Sequence, residues 1–263
     1  MQQIAKENKR SANRIRWPHL TMVLVVVGSF VIMLLQGPIR QDQEYHAFAD
    51  SRAFLGIPNF GDVASNAGFL LAGVAGLILC FRKRLGPLHL AWVVMFAGIA
   101  LVGIASSYYH WTPNDQTLLW DRMTLTIGFM GLMVGLIGEY IDERLLLLLV
   151  PAVLLGILSV LYWGAYDDLR IYYWVQLIPL LMLPFVVALY TAQYSHGWLF
   201  VAAAILYGLA KLTELFDKEI FAATQDTISG HTLKHLIAGA ACVAILIALL
   251  KRLPIEARSN ALS

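Results

Sequence analysis

Apolar residues along this chain gather into long runs, and charged residues collect at the ends of those runs. Eight runs approach the roughly 20 residues that cross a bilayer as a helix. They cover about 19–35, 62–81, 89–110, 118–137, 145–163, 171–190, 198–216 and 231–250. The pattern predicts an all-α polytopic transmembrane helix bundle. The first run follows a basic stretch, Lys6, Lys9, Arg10, Arg14 and Arg16, which is also how a signal peptide begins. Gln36, Gly37, Pro38, Ile39 makes a poor cleavage site, so this run is expected to remain as a helix.

Composition agrees with the runs. Of 263 residues, 59% are hydrophobic and only 14% charged, where a soluble domain averages about 25% charged. A net charge of +2, spread over helix ends, excludes a nucleic-acid groove. Cys80 and Cys242 fall in separate spans with no CxxC spacing, and read as small packing residues.

Charge distribution predicts an orientation. With the N-terminus in the cytoplasm, twelve Lys and Arg fall inside: the five basic residues above, Arg82, Lys83, Arg84, Arg144, Lys251, Arg252 and Arg258. Six fall outside, Arg40, Arg52, Arg122, Arg170, Lys218 and Lys234, and Lys211 lies within a span. The positive-inside rule favours this arrangement, with both termini cytoplasmic. Glu139, Asp142 and Glu143 are then expected to be solvated on the cytoplasmic side. Trp111, Trp120, Trp163, Trp174 and Trp198 sit at span ends, as an interfacial aromatic belt predicts.

That orientation has a chemical consequence. Ser106 and His110 end an outward-going span, Asp121 lies near the start of the next, and His231 and His235 open the last. All five reach the extracytoplasmic face, together with an acidic loop at 37–61. Residues four apart on a helix share a face, and polar groups inside a membrane are costly unless they serve the bundle interior. Three neutral imidazoles with an open position suit zinc. Zinc lowers the pKa of a bound water to about 7 and polarises a carbonyl. Asp121 is placed as general base and later acid. Ser106 can donate to a developing oxyanion, and it lacks the Gly-x-Ser-x-Gly elbow of a serine nucleophile.

Simpler readings exist for single residues. His19, His46, His89 and His196 read as polar side chains at headgroup level. Ser106 alone could serve close helix packing, and Asp121 alone could cap its helix or pair with Arg122 or Lys234. Lys211, Glu214 and Asp217, at i, i+3 and i+6, fit either a buried ion pair or residues that orient a metal-bound histidine.

Ser106-x3-His110, Asp121 eleven positions on, and His231-x3-His235 opening the final helix together resemble the alkaline ceramidases. These belong to the CREST group of membrane hydrolases, which also includes the progestin and adipoQ receptors. The stretch Asp62-Val-Ala-Ser-Asn66 is similar to that family's first core helix, and the resemblance covers roughly residues 50–251. It implies a seven-helix core plus one extra N-terminal helix, with zinc held by His110, His231 and His235. It further implies hydrolysis of a ceramide amide with Asp121 and Ser106 in the roles above. The corresponding division is a cytoplasmic tail at 1–17, the extra helix at 18–36 and the extracytoplasmic loop at 37–61. The core then occupies 62–252 and a second cytoplasmic tail 253–263.

Eukaryotic members carry a calcium site in the loop before the core, built from an Asp-Trp-Cys-Glu-Glu-Asn-like run and a later glutamate. This chain departs from that pattern, which points to a bacterial inner-membrane protein. Asp50, Asn59 and Asp62 could offer oxygens, but calcium takes six to eight, and Arg52 competes for a carboxylate. Because many bacteria lack ceramide, the expected partner is a membrane lipid substrate, ceramide or another N-acyl lipid. Two other classes stand beside the amidase: a seven-helix receptor or sensor on the same scaffold, and a proton- or metal-coupled transporter. A transporter predicts internal repeats and midplane sites, whereas these residues cluster at one face.

Overall fold

A computed structural model describes residues 17–255 of the chain. The basic segment Lys6–Arg16 and Arg258 lie outside the described residues, as do most of the expected tails. The described residues form an all-α bundle without β-strands, in which eight helices are long and apolar enough to cross a membrane. They are α1 (Trp17–Leu35), α2 and α3 (Phe60–Ser65 and Ala67–Arg82, together one span), α4 (His89–Trp111) and α5 (Asp115–Tyr140). The others are α6 (Leu149–Tyr166), α7 (Arg170–Leu189), α8 (Trp198–Leu215) and α10 (Gly230–Lys251), with a short α9 (Asp217–Ala223) between the last two. Each expected run matches one of these spans to within about three residues at either end.

α4 is the centre, packed between α3 and α5, while α10 packs on α3 and α8. Small residues permit the close approach. A Cβ on Gly98 of α4 would lie 2.3 Å from the backbone nitrogen of Gly128 on α5. Such contacts let van der Waals packing hold helices together where lipid supplies no hydrophobic drive. The outer surface is apolar, with Leu24, Leu71, Phe81, Val150 and Ile205 exposed, as a lipid-facing surface requires. α1 is peripheral: Met22 is its one buried residue. It leans on α7, where the Trp174 indole N–H donates to Ser29 Oγ at 3.0 Å.

Local chemistry sets the helix starts that matter. The Asn114 side chain accepts from Gln116 and Thr117 N–H, and Thr117 bonds back to complete a capping box before α5. Ser229 caps α10 by accepting from Thr232 N–H. Asp168 accepts from Arg170 through both carboxylate oxygens, and Arg170 also donates to the Leu34 carbonyl. This staples the chain leaving α1 to the start of α7. The Arg170 guanidinium holds the Asp168 carboxyl below the usual aspartate range.

Two expectations are corrected. Glu139 is not solvated: it is buried and pairs with buried Arg252, which also donates to the Leu85 carbonyl. The pair ties the end of α10 to α5, because neither charge tolerates burial alone. Trp163 and Trp174 are not belt residues either. Both are buried, Trp163 beneath the Arg122 guanidinium and Trp174 against α1. Trp111, Trp120 and Trp198 are exposed, as a belt requires.

Candidate metal centre

His110 ends α4, and His231 and His235 occupy the first two turns of α10. All three are buried, and one ligand nitrogen from each lies within 4.8 Å of the others. Imidazole nitrogens on one tetrahedral zinc lie roughly 3.3 Å apart, so the three rings would draw closer around a bound ion. The environment also fits a metal. His110 Nδ1 is buried and makes no hydrogen bond among the described residues, a costly state for an imidazole unless another partner takes it.

His235 is oriented by a break in a helix. At the α2–α3 junction the Asn66 N–H turns to the Ala64 carbonyl, which frees the Asp62 carbonyl from its usual helical partner. Ser65 Oγ and Asn66 Nδ2 donate to that carbonyl at 3.0 and 2.8 Å. His235 Nδ1 meets the same carbonyl at 3.1 Å and Ser65 Oγ at 2.9 Å. The carbonyl can only accept and Ser65 already gives it the hydroxyl proton, so Nδ1 is the protonated nitrogen and Nε2 keeps its lone pair for a ligand. A carbonyl or carboxylate behind a histidine is the usual way a metal site fixes the tautomer.

His231 is set by its backbone. Its N–H donates to Asp217 Oδ1 at 2.7 Å, and the other carboxylate oxygen accepts from Ala49 N–H at 2.9 Å. Gly230 makes this possible, since a Cβ there would lie 2.2 Å from the Thr213 carbonyl oxygen. Asn59, in the left-handed conformation that asparagine tolerates, donates to the His110 carbonyl at 2.7 Å and holds the end of α4. Phe48 from the loop packs on both His110 and His231.

The residues around this centre separate into distinct roles. Lys211 and Lys234 share Glu214, Lys234 at 2.7 Å, and Tyr45 donates to the same carboxylate at 3.1 Å. Burial raises the Tyr45 phenol well above its usual pKa of 10, keeping it a donor. Lys234 Nζ also lies 2.9 Å from His231 Nε2. The ion-pair and metal-neighbour readings of Lys211 and Glu214 therefore meet in one network that ends on a histidine. Asp121 forms no salt bridge to Arg122 or Lys234 among the described residues.

Asp50, Asn59 and Asp62 have other partners. Asp50 is paired with Arg52 at 2.7 Å, which lowers its pKa through that hydrogen bond. Asn59 serves His110, and Asp62 Oδ1 accepts from Thr232 Oγ1 at 2.7 Å. Among the headgroup-level histidines, His46 joins the site's rim by contacting Tyr109 at 2.9 Å and Asp115 at 3.1 Å.

One cavity of about 190 Å³ opens beside the centre. Ser106, Asp121, Arg122, Lys234 and His235 line its polar end. Phe129, Leu132, Leu183, Phe200, Ala241 and Ile245 line the rest. Along α10 the lining runs from Lys234 to Ile245, roughly 16 Å at 1.5 Å per residue. The cavity is therefore a slot with polar chemistry at one end and hydrocarbon at the other.

The fold and site define a polytopic membrane protein with a buried three-histidine cluster that could hold a metal ion. Compared with known proteins, the chain matches no protein-family model and no curated protein.

Proposed function

We propose that this protein is a zinc-dependent intramembrane lipid amidase of the ceramidase type. The observation that carries the reading is the slot itself: His235, Ser106 and Asp121 share its polar end, and its remaining length is lined by apolar side chains, the surface an acyl chain requires. Zinc on three imidazoles supplies Lewis acidity that activates water and polarises a carbonyl. Asp121 takes a proton from the attacking water and returns it to the leaving nitrogen. Water oxygen joins the acyl carbon, the amide C–N bond breaks, and a fatty acid and an amine result. Ser106 donates to the carbonyl oxygen as charge gathers there. Ser65 and the Asp62 carbonyl hold His235, while Asp217 and Gly230 hold His231.

The placement of the centre also favours catalysis over transport. All three histidines lie within about two turns of their helix ends, whereas transporter sites sit near the midplane. Metal analysis of the purified protein is the first test. The expectation is zinc bound to the wild type and lost in a His231→Ala, His235→Ala double variant. Equal metal content in the two proteins would remove the centre, and the amidase with it.

A further inference from the structure

Every other buried or half-buried cation beside these helices has a carboxylate partner: Arg170 has Asp168, Arg252 has Glu139, and Lys234 has Glu214. Arg122 does not. It is 4% exposed, lies one residue past Asp121 on the wall of the slot, and forms no salt bridge among the described residues. Its Nη2 donates to Gln41 Oε1 at 2.6 Å, and its Nη1 has no hydrogen-bond partner among the described residues. Three rings surround the guanidinium: Trp163 at 4.1 Å, Tyr172 at 4.9 Å and Tyr45 at 5.7 Å. The rings and Gln41 position the cation without neutralising it. The polar end of the slot thus carries three cations, Arg122, Lys211 and Lys234, against two carboxylates, Asp121 and Glu214. Glu214 is already shared by both lysines.

A planar guanidinium with a free donor, fixed by aromatic walls, is a receptor for an oxyanion. We infer that the lipid this slot takes carries a carboxylate or phosphate on its head, and that Arg122 pairs with it. The inference rests on the amidase reading for the acyl chain and the scissile amide, and adds the head group. A neutral amino-alcohol head leaves Arg122 unpaired inside the bundle, whereas an N-acyl amino acid or a phosphate-bearing N-acyl lipid satisfies it. Arg122 is then a specificity residue, and Ser106 and Asp121 act on an amide whose far side is anchored by charge.

N-dodecanoylglycine and N-dodecanoylethanolamine test this, because they share chain and amide and differ in carboxylate against hydroxyl. Binding to the full-length protein in neutral detergent is measured by calorimetry, and fatty-acid release is measured separately. The expected result is at least about tenfold tighter binding of the glycine conjugate, the gain of one buried charge-assisted hydrogen bond. Arg122→Gln should remove that gap by weakening the glycine conjugate more than the ethanolamide, and Arg122→Lys should keep part of it.

Equal affinities in the wild type, which need no variant to fold, would overturn the inference. So would a preference that survives Arg122→Gln. Inorganic phosphate tests a free anion as the source: it should fail to displace the glycine conjugate, and displacement at equal concentration would overturn the lipid assignment. A binding preference without fatty-acid release would sink the amidase and spare the anionic head. Equal cleavage of both conjugates would do the reverse.

Discussion

The three-histidine cluster is positioned by residues outside it. Ser65 and the Asp62 carbonyl fix the tautomer of His235, so Ser65→Ala should weaken zinc binding by roughly tenfold to a hundredfold. Competition titration with a zinc chelator measures this, and an unchanged affinity would show that the contact does not orient the ring. In the proposed mechanism Asp121 acts at a different stage. Asp121→Asn should keep zinc and lower kcat by roughly 10²–10⁴, the usual worth of a general acid–base. Full activity in that variant would remove Asp121 from the mechanism. The spacing of Ser106, His110, Asp121, His231 and His235 was legible in the sequence because it is helical arithmetic. Asp217 was legible as one of two readings, a residue that orients a histidine, whereas Ser65, Phe48 and Tyr45 were not legible as parts of the site. Their roles arise where a loop and a helix break meet α8 and α10, in contacts that join residues more than 150 positions apart. Arg122 was visible as a charge, but its lack of a carboxylate partner is a property of packing alone.

Among the elements, the spans were legible almost completely, because length and apolar content are what a bilayer selects. The division at Asn66 and the short α9 were not, since the first lies inside one continuous apolar run and the second is too short for a periodic pattern. Each has a function: the first frees a carbonyl for His235, and the second brings Asp217 to His231. The close crossing of α4 and α5 is testable. Gly98→Val should destabilise the bundle by at least about 1–3 kcal/mol, the cost of overpacking, and a thermal unfolding midpoint equal to that of the wild type would contradict the crossing. The staple between α1 and α7 depends on pH. Arg170 depresses the Asp168 carboxyl below its unfolded value of about 3.9. Its stabilisation is therefore full above that value and is lost as the pH falls through the lower, folded one. Asp168→Asn should flatten the dependence of thermal stability on pH below about 4, and an unchanged profile would exclude the staple as an acid-sensitive element.

At the scale of the whole molecule, a buried three-histidine cluster lies at one end of the bundle and a largely apolar slot runs from beside it. The opposite end is closed by the buried Glu139–Arg252 pair and the Leu85 carbonyl. Lysines and arginines were expected to place this closed end in the cytoplasm, and reporter fusions at residue 84 and after Ser263 should both report a cytoplasmic location. An exported reporter at either point would invert that orientation. The amidase itself is tested most directly by incubating purified, zinc-loaded protein with N-acyl lipids and following free fatty acid by mass spectrometry, beside chelator-treated protein and the Asp121→Asn variant. The account predicts release by the loaded wild type and loss of release in both controls, with zinc retained in Asp121→Asn. Absence of fatty acid from the loaded wild type, or release that survives chelation, would contradict it.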